Sequence, residues 1–263
     1  MVKKDTDSAR DVNYTSWEYQ PGQKNVAFQW GPHKLPLALD FEGISITMYK
    51  HDNGFLYRRE GRGESVEKVV LADKGSFQLS PVEPFHLPVG MSTYLLIAFK
   101  QPVDIEPRAK KTVLVTFPLE LASAFNSQRA GLHILDIFTL GRPKFTLYGT
   151  IKDGLICKYW SSEVFYSVPE INQVEEGVME LELQNISSRW IEISKAVFSA
   201  QGLKIYYDQN LVSLKATMKI SGESVAETSF IDEPLKAGMS KALEQYREKL
   251  LTQPGRTLME EGF

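Results

Sequence analysis

A carboxylate and an imidazole lie three positions apart in the proline-rich stretch at residues 81–88, where Glu83 precedes His86. If such a pair lines a pocket, it can act as a general acid and base. Proline cannot donate a hydrogen bond to a strand ladder, so the stretch is predicted to be a rigid loop or a sheet edge. A loop that only crosses the end of a sheet would contain the same residues, and both interpretations stay open.

Two adjacent arginines predict a buried ion pair. Arg58 and Arg59 follow each other on a predicted strand, where neighbouring side chains point to opposite faces. One of them must therefore lie on the more buried side or at a joint between units, where an arginine needs an acidic partner. The candidate partners are Glu83, Asp136 and Glu163.

The clearest local signal is a hairpin at residues 144–162. Its Asp153-Gly154 dipeptide is of the kind that adopts positive φ at both positions, which predicts a tight two-residue turn. Pairing outward from that turn sets Tyr148 opposite Tyr159. One face is then predicted to carry Phe145, Leu147, Ile151, Ile156 and Trp160, with Lys158 above Gly149.

Both faces of this hairpin carry apolar or aromatic side chains, whereas a hairpin with one solvated face alternates cleanly. We therefore expect the hairpin to be covered on both sides, at the joint of two packed units. It is either a core hairpin whose polar groups find local partners, or a binding surface of aromatic faces and cations. The predicted contact residues of that surface, with nearby charges, are Tyr148, Lys152, Lys158, Tyr159, Trp160, Arg58, Arg59 and Glu83.

No motif for a metal, a cofactor or a nucleophile is found in the sequence. The four histidines are scattered, and none lies at a metal-ligand spacing from another or from the single cysteine, Cys157. Cys157 has apolar neighbours and is expected to be a small buried hydrophobe. Because phosphate-binding loops, dinucleotide-binding glycine patterns and nucleophile elbows are also missing, no cofactor is predicted.

Composition narrows the class of protein. The chain has 263 residues, of which 43% are hydrophobic and 24% charged, with a formal net charge of −3; such values are typical of soluble globular proteins. Because acids and bases are interleaved, bulk charge gives no support for nucleic-acid or membrane-surface binding. The single cysteine favours a reducing compartment. With no apolar leader or spanning run, we expect a cytoplasmic protein without membrane insertion.

The chain is predicted to be mainly β. Short alternating segments recur between turns rich in Gly, Asp and Asn, which is typical of antiparallel sandwiches or barrels. We expect two antiparallel β-sandwich-like units packed together, at residues 41–142 and 143–232, the second opening with the hairpin. Residues 1–40 are predicted to form an N-terminal arm and entry segment.

The pattern changes at residues 233–263. Apolar residues now recur at helical spacing, with charged residues elsewhere on the helical wheel. This predicts one C-terminal amphipathic helix that packs onto a sandwich and is followed by a tail. The apolar positions of that helix are Met239, Leu243, Tyr246 and Leu250.

Five segments of the chain form a recognisable set. They are the hairpin run KFTLYGTIKDGLICKYWSSEV, Pro81-Val82-Glu83-Pro84, Leu203-Lys204-Ile205-Tyr206-Tyr207, Ala226-Glu227-Thr228 and Met239…Lys241-Ala242-Leu243-Glu244. With these segments the chain resembles the archaeal family of unknown function numbered four-three-two, over most of the length from about Phe41 to Tyr246. The resemblance implies an archaeal, cytosolic protein and supplies no activity, cofactor or catalytic residue.

The leading hypothesis is a non-enzymatic protein that binds another protein or a small anionic ligand at the hairpin. The competing hypothesis is a hydrolase that acts on a carbohydrate or a phosphorylated metabolite. It would use carboxylates such as Glu83, Asp136 and Glu163, with Lys158 as an electrostatic partner. Two carboxylates within roughly 5–10 Å of each other in a closed pocket favour hydrolysis, whereas a shallow aromatic and basic patch favours binding.

Overall fold

The computed structural model describes residues 28–244 and 256–263. Within these ranges the chain forms nineteen β-strands and no helix, and hence no helix that could cross a membrane. The strands in chain order are β1 Gly31–His33, β2 Leu37–Phe41, β3 Ile44–His51, β4 Gly54–Gly61, β5 Glu64–Val70, β6 Gly75–Val82, β7 Tyr94–Ile105, β8 Lys110–Pro118, β9 Glu120–Ser127, β10 Gly131–Phe138, β11 Lys144–Tyr148, β12 Leu155–Ser162, β13 Glu176–Asn185, β14 Ile191–Ser199, β15 Tyr206–Tyr207, β16 Val212–Ile220, β17 Ala226–Ile231, β18 Ser240–Lys241 and β19 Arg256–Met259.

The first sheet, named the meander sheet, contains β2 to β5 in chain order, each antiparallel to the next. Two of its turns are tight. Both residues of Glu42-Gly43 have positive φ, 48° and 75°, and so do both residues of Arg62-Gly63, 52° and 81°. Turns of this kind match the right-handed twist of the strands that they join. The two turns lie at the same end of the sheet, because each of them joins neighbouring antiparallel strands there.

Three further sheets complete the described fold. The second sheet has the strand order β1-β6-β9-β10, and the hairpin sheet has the order β11-β12-β7-β14. The large sheet has the order β18-β15-β16-β13-β8, with β17 paired to β16 and β19 paired to β17. β12 runs parallel to β7, and β13 runs parallel to β16. The expectation of antiparallel pairing alone is therefore wrong for these two pairs.

Strands from both sides of residue 142 share two sheets. β7 pairs with β12 and β14, and β8 pairs with β13. One hydrophobic core connects all four sheets, with a fully buried Ile46, Phe77, Ile97 and Leu181 contributed by one sheet each. Burying each such side chain contributes about 1.5–3 kcal/mol. The hairpin is thus attached to a continuous core.

The predicted N-terminal arm lies mostly outside the described residues, which begin at Phe28. From there the chain joins the fold at once. Phe28 contacts Trp30 edge-on, with 4.9 Å between the ring centroids, and Trp30 is buried. β1 then pairs with β6 at the edge of the second sheet.

The predicted C-terminal helix is wrong within the described residues. Ser240–Lys241 form β18 and pair with β15, and the Ala242 amide donates to the Ile205 carbonyl at 2.9 Å. Backbone groups at the edge of β15 take up this segment, so tertiary pairing overrides the helical spacing of the apolar residues. Residues 245–251 of the predicted helix lie outside the described ranges.

Candidate functional site

The predicted hairpin forms, but its loop is longer than the sequence indicates. Tyr148 lies opposite Leu155 rather than Tyr159, so residues 149–154 form the loop. The two-residue turn is wrong because it needs two consecutive residues with positive φ, and in this loop only Gly149 has it, at 97°. The partner of each β11 residue moves by four positions. Because that number is even, the side chains of β11 and β12 stay on their predicted faces.

One face of the hairpin is exposed at its free end. Leu147 and Ile156 lie opposite each other and are 41% and 51% exposed, and Ile151 in the loop is 96% exposed. The expectation that the hairpin is covered on both sides is therefore wrong at this end. Lys152, a predicted contact residue, lies exposed in the same loop.

Tyr148 lies on the other face and anchors the C-terminal residues. Its hydroxyl donates to the Gly262 carbonyl and accepts from the Glu261 amide, both at 3.1 Å. Burial raises the pKa of Tyr148, which keeps the hydroxyl neutral and able to donate. The hydroxyl of this predicted contact residue thus makes its hydrogen bonds to the protein's own backbone, at Glu261 and Gly262.

The covered end of the hairpin contains a group of buried polar residues, named the Glu120 cluster (Glu120, Lys158, His86 and Leu87). The Lys158 ammonium donates to Glu120 Oε1 at 2.7 Å and to the Leu87 carbonyl at 3.3 Å. His86 Nδ1 lies 3.0 Å from Glu120 Oε2. The amides of His86 and Leu87 donate to the same carboxylate at 3.0 and 3.2 Å. The cluster therefore fixes the proline-rich loop to the first residue of β9, Glu120, and to Lys158 of β12.

Glu120 stays ionised although it is buried. Burial acts to raise the pKa of Glu120, but the hydrogen bond from His86 and the charge of Lys158 outweigh it and hold the pKa below its usual range. Glu120 is fully buried and Lys158 is 5% exposed. Lys158 is therefore committed to a partner inside the protein, and His86 Nδ1 contacts the carboxylate of Glu120. Glu83 is itself buried just after β6.

The arginine pair behaves as the sequence predicts. Arg59 is 3% exposed, and its Nε donates to Asp136 Oδ2 at 2.5 Å. The Tyr57 hydroxyl donates to the same oxygen at 3.0 Å. Arg58 is on the exposed face, where it pairs with Glu67 at 2.7 Å. The predicted buried ion pair is confirmed, and both arginines are engaged away from the hairpin.

A cleft of about 260 Å³ lies beside β12, where the loop from β10 to β11 passes it. We name it the β12 cleft. Its lining residues come from all parts of this junction: Pro118, Thr139, Gly141, Arg142, Pro143, Lys144, Lys158, Tyr159, Trp160, Ser161 and Glu175. Of the predicted contact residues it brings together Lys158, Tyr159 and Trp160. The others, Tyr148, Lys152, Arg58, Arg59 and Glu83, are not part of its lining.

The aromatic wall of the cleft is held in place from behind. Trp160 donates its indole N–H to the Thr116 hydroxyl at 2.9 Å, and the Thr116 amide donates to the Ser162 hydroxyl at 2.8 Å. β11 begins at Lys144, opposite Tyr159. Because β11 stops covering β12 at that point, the β12 edge at Trp160 faces the cleft without a β11 partner.

The cleft has two uncompensated cations. Arg142 and Lys144 are exposed, and within residues 28–244 and 256–263 neither side chain makes an ion pair or a hydrogen bond. Glu175, the one carboxylate that described residues contribute to the lining, lies 3.7 Å from Arg62. A guanidinium and an ammonium that lack acidic partners can bind a carboxylate or phosphate group of a ligand.

Comparison with known proteins agrees with the resemblance read from the hairpin. A family model described as "Protein of unknown function (DUF432)" matches residues 29–262. The chain belongs to the DUF432 family. No match was found among curated proteins or among solved structures. The family description names no activity, and the archaeal origin stays a prediction.

The carboxylates of the hydrolase hypothesis lie in separate surroundings in this DUF432 chain. Asp136 is bound by Arg59, and Glu163 pairs with Lys100 at 3.1 Å on the surface. Neither of them, nor Glu83, lines the β12 cleft. In the part of the chain that the structure describes, no group of three or more His, Cys, Asp or Glu side chains is placed to hold a metal ion.

Cys157 is the small buried hydrophobe that its neighbours predict. It is fully buried on β12, and burial raises the pKa of its thiol to about 12. A thiol with such a pKa is almost wholly protonated at neutral pH, whereas the thiolate is the nucleophile. Cys157 therefore contributes packing.

Sequence reasoning missed the residues that decide the electrostatics of this DUF432 site. Arg142 stands in a short Gly- and Pro-containing loop immediately before the hairpin, and Lys144 is the first residue of the hairpin; loops carried by a rigid scaffold commonly bear binding residues. That signal was available. Glu120 also had a signal, because it is a lone acid in a long apolar segment, and an acid in such a place needs a buried partner.

Proposed function

We propose that the protein is a cytosolic, non-enzymatic binding protein that takes a small anionic ligand in the β12 cleft. The observation that carries the proposal is the pair of exposed cations, Arg142 and Lys144, which border the cleft without an acidic partner among the described residues. A ligand carboxylate or phosphate supplies that partner through charge-assisted hydrogen bonds.

The shape of the cleft supports a small ligand. Its volume of about 260 Å³ lies just below the range of about 300–1,000 Å³ that is usual for drug-sized ligands. Tyr159 and Trp160 are half-buried there and offer flat apolar surface. Because the Trp160 indole is already hydrogen-bonded to Thr116, little side-chain freedom is lost when a ligand binds.

The charges of the cleft favour binding over hydrolysis. Hydrolysis of glycosides by paired carboxylates needs two acidic groups that flank one bond. Among the residues that the structure describes, Glu175 is the one carboxylate in the lining. Two cations with an aromatic wall fit recognition of an anion better than they fit acid–base chemistry.

The proposal is tested by titrating the full chain with acetate, phenylacetate, citrate, inorganic phosphate and glucose 6-phosphate, with the Trp160 indole ¹⁵N–¹H signal as the readout. That signal is assigned with Trp160→Phe. We expect at least one of these anions to shift it and the double variant Arg142→Ser/Lys144→Ser to abolish the shift.

A control variant removes the same charge elsewhere. Lys74→Ser/Arg129→Ser alters the turns at the far end of β10, which places the change about 25 Å from the cleft. We expect this control to bind like the original protein. If no anion shifts the Trp160 signal, or if the shift persists in the Arg142→Ser/Lys144→Ser variant, the cleft is not an anion site.

A second candidate, contact with a protein, is favoured by the exposed free end of the hairpin. Leu147 and Ile156 form an exposed apolar pair, and among the described strands β11 lies at the edge of its sheet. An unpaired edge can pair antiparallel with the same edge of a second copy across a two-fold axis. We propose a second copy of the chain as the partner.

Sedimentation over a range of protein concentrations tests this second candidate. We expect a dimer that Leu147→Ser/Ile156→Ser converts to a monomer. Trp190→Ser is the control, because Trp190 is 66% exposed and precedes the end of β14 that pairs with Ile105, at the far end of β7. A protein that is monomeric throughout, or a dimer that only the control disrupts, contradicts the self-association.

A further inference from the structure

The β12 cleft is not uniformly basic, because Glu175 faces the same cavity as Arg142 and Lys144. In the described part of the chain, the cation paired with this carboxylate is Arg62, whose Nη2 lies 3.7 Å from Glu175 Oε1. That distance is too long for a hydrogen bond. Glu175 is 38% exposed at its side chain and keeps its capacity to accept hydrogen bonds.

The backbone of Glu175 is fixed on both sides. Its amide donates to the Asn172 carbonyl at 2.9 Å, and its carbonyl accepts from the Leu119 amide at 3.0 Å. The carboxylate therefore projects from a position that the link between β8 and β9 holds. A carboxylate on a fixed backbone loses less freedom on binding than one on a mobile segment.

Arg62 is not part of the lining, but it contacts two segments that are. One end of its guanidinium, Nη1, donates to the Leu140 carbonyl, which lies in the loop that carries Arg142. The other end lies between Glu175 and the Glu42 carbonyl, 3.5 Å away. Arg62 thus pairs with Glu175 only at 3.7 Å, without a hydrogen bond, and the Glu175 oxygens can still accept hydrogen bonds from a ligand.

We infer that the cleft selects amphoteric ligands, which carry a carboxylate and an ammonium group on a small, flat or apolar body. The carboxylate binds Arg142 and Lys144, the ammonium donates to Glu175, and the body lies against the edge of β12 at Tyr159 and Trp160. A ligand with negative charge alone meets repulsion from Glu175, and a cation alone meets repulsion from the two basic residues. This inference rests on the proposed function and names the class of its ligand.

Three matched probes separate the charges of such a ligand. L-Phenylalanine carries both groups, phenylacetate lacks the ammonium, and phenethylamine lacks the carboxylate. Calorimetric titration of the full chain is expected to give the tightest binding for phenylalanine, binding about tenfold weaker for phenylacetate and none for phenethylamine, because a charge-assisted hydrogen bond is worth about this factor.

Glu175→Gln tests the residue behind this preference. In that variant phenylalanine should bind about as weakly as phenylacetate, whereas phenylacetate should bind as before or more tightly. Glu170→Gln is the matched control: Glu170 is exposed, lies near in the sequence and is not part of the lining. It should leave the affinities for all three probes unchanged.

The outcomes separate the inference from the function on which it rests. Equal affinities for phenylalanine and phenylacetate, or a preference that survives in Glu175→Gln, overturn the amphoteric class and leave anion binding in place. If neither probe binds and the anions tested above also fail to shift the Trp160 signal, both are overturned. Loss of the preference in Glu175→Gln, with binding abolished in Arg142→Ser/Lys144→Ser, supports both.

Discussion

Two sets of cations lie at the same end of the hairpin and differ in what neutralises them. Lys158 is buried and bound to Glu120, whereas Arg142 and Lys144 stand exposed at the β12 cleft without an acidic partner in the described residues. Lys158 and Lys144 are the same residue type on adjacent strands. Their surroundings give one a structural role and leave the other available to a ligand.

The comparison also shows why a buried charge is a poor guide to a binding site. Moving an ammonium and a carboxylate out of water costs several kcal/mol for each, and only their mutual attraction and further hydrogen bonds offset that cost. Glu120 obtains those bonds from His86 and Leu87 as well as from Lys158. A ligand that took Lys158 away from Glu120 would leave a buried carboxylate with one donor fewer.

Removing the buried cation should have the largest effect on stability. Lys158→Ala is expected to lower the free energy of unfolding by about 3–5 kcal/mol, because Glu120 is left buried without its ammonium partner. Lys144→Ala, the matched exposed lysine, should change it by less than about 0.5 kcal/mol. Urea denaturation measures both. Equal effects of the two variants would show that burial does not separate these lysines.

Replacing both buried partners refines the same test. Lys158→Met/Glu120→Gln leaves no uncompensated charge, so it should be more stable than Lys158→Ala. If the double variant is the less stable of the two, the loss in Lys158→Ala comes from packing and not from the orphaned carboxylate.

The hairpin loop is expected to show the next largest effect. A Cβ atom at Gly154 would lie 2.4 Å from the Thr150 carbonyl oxygen and 2.8 Å from that of Tyr148, so Gly154→Val must displace the loop. We expect a loss of about 1–3 kcal/mol in the free energy of unfolding. Gly141→Ala is the control, since nothing lies within 4 Å of its Cβ position. Gly154→Val as stable as Gly141→Ala would contradict the loop geometry.

Lowering the pH should remove the contribution that the ionised Glu120 makes to the free energy of unfolding. The pKa of Glu120 is lower in the folded protein than its ordinary value, so its ionisation stabilises the fold above the unfolded-state pKa of about 4.3. That contribution is lost as the pH falls through the lower, folded-state pKa. The difference in unfolding free energy between the original protein and Glu120→Gln should therefore be constant near neutral pH and shrink below about pH 4. A difference that does not change with pH would mean that Glu120 is not ionised in the fold.

What the sequence could predict follows from local physics. Alternation and turn residues predicted the strands, and the alternation placed Arg58 and Arg59 on opposite faces, which led to the ion pair with Asp136. The faces of the hairpin were also right although its register was wrong, because an even shift keeps each side chain on its side. These features depend on residues near in the chain or on one strand pair.

The features that the sequence did not predict depend on pairings between segments that are distant in the chain. β12 lies parallel to β7, with Lys158 next to Leu95, and Glu120 reaches it from a third strand, β9. No periodicity in one segment specifies which strand will be its neighbour, so Lys158 was predicted as a contact residue and the cleft beside it was missed. The helix failed at β18 for the same reason, because pairing with the distant Tyr206–Tyr207 overrode the local spacing.

The smallest expected effect on stability concerns the cleft itself. Arg142→Ser/Lys144→Ser should change the free energy of unfolding by less than about 0.5 kcal/mol per site, since neither side chain has a partner to lose among the described residues. Removing two neighbouring like charges can even stabilise the loop slightly. Thermal and urea unfolding at low and high salt measure this, and a marked loss of stability would give these residues a structural role after all. An unchanged stability with loss of anion binding would complete the contrast with Lys158. Removing the buried positive charge would then destabilise the fold, whereas removing the exposed positive charges would abolish only ligand binding.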